Sequence, residues 1–178
     1  MDTIASFRAI AQQEKTTTEE ALQLFDELEP VNIEFMIGRW QGSGFPTGHQ
    51  MDGLLEAMNW YGKEFVSAEQ VHPLLFSDGN SIFRVDPNPT LTNLGLNFSM
   101  PKSDALKPLY GVMSKMLKTE ESKARLRLME YRGKVSATMI YDYLPINDVF
   151  RKVDDNTVLG LMDFKAMPQP FFFVLKRV

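Results

Sequence analysis

The chain has 178 residues, 44% of them apolar and 24% charged, a balance that fits one folded domain with a sizeable core and excludes a wholly disordered chain. Lys and Arg number 19 against 23 Asp and Glu, a net charge of −4 that argues against a nucleic-acid scaffold. With no cysteine and only His49 and His72, one chain builds neither a disulfide, a thiolate site nor a three-histidine metal site.

The N-terminal stretch MDTIASFRAIAQQEK has no basic start and no apolar run of signal-peptide length. The apolar run Phe171–Leu175 falls far short of the roughly 20 residues that cross a bilayer. A cytoplasmic protein without a membrane span is expected. Ile4, Phe7, Ile10 and Ala11 share one face of a short helix. Thr18, with Glu19 and Glu20 behind it, reads as an N-cap, and Ala21, Leu22, Leu24, Phe25 and Leu28 supply an apolar side before Pro30 ends the helix. Residues 1–30 are expected as a helical segment ahead of one β-domain over 31–178.

From Ile33 the character changes. Phe35–Gly44 reads as a glycine-rich strand in which Gly38, Gly42 and Gly44 signal bends or close backbone approach. Phe45–Gly48 is a turn. Met51, Leu54, Leu55 and Met58 have helical spacing, and Tyr61-Gly62 breaks that helix. Lys63–Gln70 and Ser81–Val85 are strand candidates, with His72-Pro73 opening an extended segment between them. Asp86–Thr92 is a loop, and Asp104–Leu117 has the spacing of a helix.

The last third is the most regular. Ala124–Tyr131 and Lys134–Tyr141 flank Arg132-Gly133; Val149–Val153 and Thr157–Phe164 flank Asp154-Asp155-Asn156; Phe171–Arg177 follows a Pro-rich turn. These are consecutive hairpins. Val135, Ala137, Met139 and Tyr141 alternate with Ser136, Thr138, Ile140 and Asp142, the pattern of a half-buried antiparallel strand. The fold class expected is mostly β, an antiparallel barrel with N-terminal helices and a mid-chain helix.

Gly38-Arg39-Trp40-Gln41-Gly42 is a G-x-W-x-G motif on the first predicted barrel strand. It resembles the opening strand of calycin-type barrels: lipocalins, fatty-acid-binding proteins and the haem-binding nitrobindins. That resemblance implies a Trp packed across the closed end. Trp60-Tyr61-Gly62-Lys63, His72–Phe76, Met139–Asp142, Pro145-Ile146 and Phe150–Asp155 extend it. Together, from about Ile33 to Lys176, they resemble an uncharacterised bacterial family known by its G-x-W-x-G segment and a C-terminal domain of unknown function. The resemblance implies no established activity. It also implies a histidine after Asp148, where this chain has Val149, so a haem or metal role at that position does not carry over.

The function expected is binding of a small hydrophobic or amphipathic ligand inside the barrel, by Trp40, Trp60, Tyr61, His72, Met139, Tyr141 and Arg151. Trp40 either lines the cavity or plugs it. Trp60 and Tyr61 form an aromatic rim or ordinary core. The methionines, 11 in all, suit a deformable apolar lining. Arg151 is the candidate partner for a ligand carboxylate, in preference to Arg84, Arg125 and Arg127, and Asp142 is its candidate counter-ion. His49 is expected to be exposed in its turn. Three alternatives stand beside this: an isomerase, cyclase or lyase using Tyr141, His72 or Asp142; a haem binder using His72; and a filled structural barrel. No cofactor is required, haem being the one considered. Neither nucleic acid nor a membrane is an expected partner, and a homodimer is one option for assembly.

Overall fold

A computed structural model describes residues 3–13, 15–87 and 116–178. Among these, the order of elements is α1 (Thr3–Ala11), α2 (Thr18–Glu27), β1 (Glu29–Pro30), α3 (Ile33–Met36), β2 (Gly38–Gly44), α4 (Leu54–Ala57), β3 (Trp60–Phe65), β4 (Val71–Ser77), β5 (Ile82–Arg84), β6 (Ala124–Tyr131), β7 (Lys134–Tyr141), β8 (Ile146–Asp154), β9 (Thr157–Phe164) and β10 (Phe171–Arg177). Most of the predicted helix Asp104–Leu117 and most of the loop Asp86–Thr92 lie outside the described residues.

Eight of the strands close into an up-and-down antiparallel barrel in the order β2-β3-β4-β6-β7-β8-β9-β10, and β10 returns to β2 through pairs such as Leu175↔Gly42. Closure removes free sheet edges. The wall is thinnest between β4 and β6, which register at Val71↔Ala124. β5 extends β4, and β1 lies against β8 at Glu29↔Lys152 and Pro30↔Arg151. The β1 segment wedges β7 from β8 there. Ser136 Oγ accepts from the Val31 N–H at 2.9 Å and donates to the Phe150 carbonyl at 2.6 Å.

The hairpins form where turn chemistry allows them. Arg132 and Gly133 both take positive φ, 51° and 76°, the two left-handed residues that a tight hairpin turn needs. In the next turn, Asp154 Oδ1 accepts from Asn156 N–H at 2.9 Å. The second helix begins one residue earlier than predicted. Thr17 is the N-cap, its Oγ1 accepting from Glu20 N–H while Glu20 accepts from Thr17 N–H, both at 3.1 Å. The predicted strand Phe35–Gly44 is also shorter, because Asn32 Oδ1 caps Phe35 N–H at 2.8 Å and starts α3 instead.

Two apolar clusters share the wall. The inner one lines the barrel with Trp40, Phe65, Met139, Phe150, Met162 and Phe173 among others. The outer one lies under α1 and α2 and joins Phe7, Leu24 and Phe25 to Val149, Leu159, Leu161 and Phe172. Strands β8, β9 and β10 are therefore buried on both faces; β9 and β10 read as mostly apolar runs, whereas β8 carries the buried charges Asp148 and Arg151 between apolar residues. Aromatic edges interlock inside, with Phe65 and Phe150 at 5.6 Å and 88°.

One glycine fixes the wall near its closed end. Gly62 has φ of 147°, and a Cβ there would lie 2.0 Å from the Trp40 carbonyl oxygen. Gly62→Ala is expected to lower stability by about 1–3 kcal/mol, or about 2–4 °C of melting temperature for each kcal/mol. Gly133→Ala, where a Cβ meets open space, should lose only about 1 kcal/mol from its positive φ. Thermal melts of the two variants side by side check the difference.

Candidate functional site

The bulge at Gly62 re-aims β3. Its pairing with β4 slips twice, between Trp60 and Gly62 and between Gly62 and Glu64. In a regular strand Trp60 and Lys63, three positions apart, would face opposite sides. Here Trp60, Lys63 and Phe65 are all buried, and Lys63 stands directly across from inward-facing Trp40. Glu64 points outward, where Arg39 and Arg84 bind its two oxygens at 2.7 and 2.8 Å.

On the far side, β8 alternates regularly. Ile146, Asp148 and Phe150 face the interior, while Val149, Arg151 and Val153 face out beneath the helices. Asp148 sits in an inward row with Met139 of β7 and Met162 of β9. Strands β3 and β8 are four places apart around the eight-stranded ring in either direction. Lys63 nevertheless reaches Asp148: Nζ lies 2.8 Å from Oδ2, with side-chain exposures of 3% and 2%. The ion pair crosses the bore of the barrel.

Lys63 is fully engaged. Its ammonium also donates to the Pro73 carbonyl at 3.2 Å and faces the rings of Phe173, Trp60 and Tyr141 at 5.0, 5.6 and 5.7 Å. The other side of the pair is not. Asp148 Oδ1 and Trp60 Nε1 are buried and have no hydrogen-bond partner. Burial pushes the Asp148 pKa up, and the Lys63 ammonium pulls it back only in part. Burial, with the nearby Asp148 charge, lifts Tyr141 well above its ordinary value, so its phenol stays protonated at neutral pH.

Exposure differs along the bore. Trp40, Phe65, Met139 and Phe150 are fully buried, whereas Trp60, Tyr141 and Met162 keep 8–9%. The Trp40 end is sealed: Trp40 Nε1 donates to the Met36 carbonyl at 2.8 Å, and the Arg177 guanidinium lies 4.2 Å over its ring. Gly42 of the same motif seats the Trp60 indole, since a Cβ there would come within 2.1 Å of it.

The structure thus brings four of the predicted ligand residues, Trp40, Trp60, Met139 and Tyr141, to the interior, and leaves three elsewhere. Tyr61 is half-buried in the bulge. Arg151 is buried on the outer face, stacked 4.7 Å from Phe25 and donating to the Tyr131 and Phe150 carbonyls at 2.8 and 3.3 Å, so it offers no fork to an interior carboxylate. Asp142 pairs with Arg125 at the surface, not with Arg151. His72 registers opposite outward-facing Glu64 and hydrogen-bonds the Glu121 backbone; burial, then the Arg84 charge, lowers its pKa. It does not face the bore, so haem ligation there through His72 lacks the required direction. His49 is buried rather than exposed, its Nδ1 accepting from Met51 N–H at 3.0 Å and its ring 5.3 Å from Phe171. The sequence does not single out Lys63 or Asp148. The available signal is the bulge-forming Tyr61-Gly62 ahead of Lys63 and a carboxylate at Asp148, alternate with the apolar Ile146 and Phe150.

A family model described as GXWXG protein matches residues 23–80, and one described as a domain of unknown function (DUF4334) matches residues 122–177. The crystal structure of a protein from Thermomonospora curvata is similar with a TM-score of 0.73 and 33% identity, over 100% of this chain and 99% of that one. The chain belongs to the GXWXG family. A comparison with curated proteins gave no match. In this GXWXG protein the motif has a physical meaning: its Trp closes one end of the barrel, and its last Gly makes room for the Trp that borders the ion pair.

Lys63→Met leaves Asp148 buried without a counter-ion and is expected to lose about 3–5 kcal/mol at neutral pH. The folded-state pKa of Asp148 already lies above its unfolded value and rises further in the variant. The folded form then holds the proton more tightly than the unfolded one. Stability is accordingly full below the unfolded carboxylate pKa of about 4 and falls as pH rises through the folded value. Urea unfolding at about pH 5 and about pH 8 should show the variant recovering on acidification, and Lys63→Met with Asp148→Leu should restore most of the loss.

Proposed function

We propose that the barrel interior holds one small, mostly apolar molecule whose polar end meets the Lys63–Asp148 pair. The observation that carries this reading is the buried pair itself, with one carboxylate oxygen and the Trp60 N–H unused beside it. A buried ion pair gives little net stability over apolar packing, and an unused buried polar atom costs free energy. Both are accounted for by a ligand that completes the hydrogen bonds. Met139, Met162 and Phe173 supply the apolar contact, and methionine adapts its shape to a guest. Barrels of about eight strands have room for one such ligand.

A second reading is an enzyme acting on the molecule held there. Tyr141 favours it, because a protonated phenol and a carboxylate facing one ligand are an acid and a base. His72 and Asp142, engaged on the outer face, have no part in that version.

Native mass spectrometry of the freshly purified protein tests the binding reading. A noncovalent mass excess that disappears on denaturation is expected. Met162→Trp, which puts a larger ring at the position paired with Asp148, should fold and lose the excess. Wild-type protein that carries no excess and takes none up from a pool of lipids and aromatic compounds would refute it.

A further inference from the structure

We infer that the ligand's polar end is a neutral hydroxyl rather than a carboxylate. This deepens the interior-binding reading above and rests on it. An amphipathic guest in a β-barrel is usually thought of as an acid met by a cationic side chain. Here the cation is not available. Lys63 Nζ is neutralised by Asp148 at 2.8 Å, donates also to the Pro73 carbonyl, and is ringed by three aromatic faces. Arg151, a second buried cation, lies on the outside of the wall.

Among the described residues, the interior leaves open a fully buried acceptor and a fully buried donor. Asp148 Oδ1 is a fully buried carboxylate oxygen without a donor, and Trp60 Nε1 is a buried N–H without an acceptor. Both belong to groups that touch the same ammonium: Asp148 through its other oxygen, and Trp60 through its ring at 5.6 Å. A hydroxyl supplies both halves, a proton for Asp148 Oδ1 and lone pairs for Trp60 Nε1. A carboxylate supplies only lone pairs, and its charge would stand against Asp148 where water does not screen it. An ether of the same length lacks the proton. The ligand class assigned is therefore a long-chain or ring alcohol, or a phenol, with its apolar body toward Met162 and Tyr141, which retain slight exposure.

The test uses ligands of matched chain length on the wild-type protein, so that it does not hinge on a variant folding. A fatty alcohol, its methyl ether and the corresponding fatty acid, each over a series of lengths, compete with an environment-sensitive fluorophore bound to the barrel at neutral pH. The alcohol is expected to bind at least about tenfold more tightly than either analogue. In Asp148→Asn, which removes the repelling charge, the acid should gain on the alcohol. An acid that binds as well as the alcohol overturns the inference and leaves interior binding intact, as does an ether that equals the alcohol. Failure of all three, and of the fluorophore, to bind overturns the inference together with the reading it rests on.

Discussion

Two opposite charges have to be buried together inside this barrel, and much of the rest follows from that. Lys63 and Asp148 stand on strands at opposite sides of the ring, so neither is satisfied unless the barrel closes at the right diameter and register. A slip of one residue in β8 would turn Asp148 out beneath the helices and bring Val149 or Arg151 inward. A buried pair is a poor source of stability but a strict check on geometry, because breaking it leaves an uncompensated charge. The bulge at Gly62 belongs to the same constraint. It puts Trp60 and Lys63 on one side of β3, giving the ammonium its aromatic surround.

Glycines do the complementary work of making room. Inward positions beside the large rings are left without a Cβ: Gly42 under Trp60, and Gly160 under Phe173, where a Cβ would lie 2.4 Å from the ring. The two rings so seated meet edge to face at 5.9 Å and 88°. The G-x-W-x-G spacing thus combines three roles on one strand. Gly38 takes positive φ next to the sealed end, Trp40 closes that end, and Gly42 admits the indole from the neighbouring strand. Arg39 and Gln41, between them, face outward and are free to vary on this account.

Local patterns made most of this fold legible and the site much less so. The hairpins of β6 to β10 announce themselves through Arg132-Gly133 and Asp154–Asn156, since turn chemistry is local. Alternation along β7 puts Met139 and Tyr141 on one face, and Trp40 as plug is what the calycin resemblance implies. Lys63 is different: its inward direction depends on a pairing slip against β4, and its partner lies 85 positions away on the opposite wall. Arg151 is hard to place from sequence for a related reason. Flanking Phe150 and Val153 mark it as buried, but β8 is buried on both faces, so burial does not say which face. His72 went the same way, its apolar neighbours Leu74–Phe76 concealing that its own face meets Glu64 and Arg84.

Strand β8 is where the inner and outer halves of the structure meet. Asp148 inside and Arg151 outside are both buried, of opposite charge, and separated by the wall that Val149 and Phe150 build. Arg151 donates to the carbonyls of Phe150 and Tyr131 and carries Phe25 of α2 on its guanidinium. The Phe150 carbonyl accepts in addition from Ser136, whose hydroxyl accepts from the N–H of Val31, the residue after β1. The helical roof, the β1 wedge and the interior therefore share one short stretch of backbone, two residues from the carboxylate proposed to read the ligand. Val149 lies between them facing the roof. The histidine that the resemblance implies at that position would enter the outer apolar cluster and not the bore.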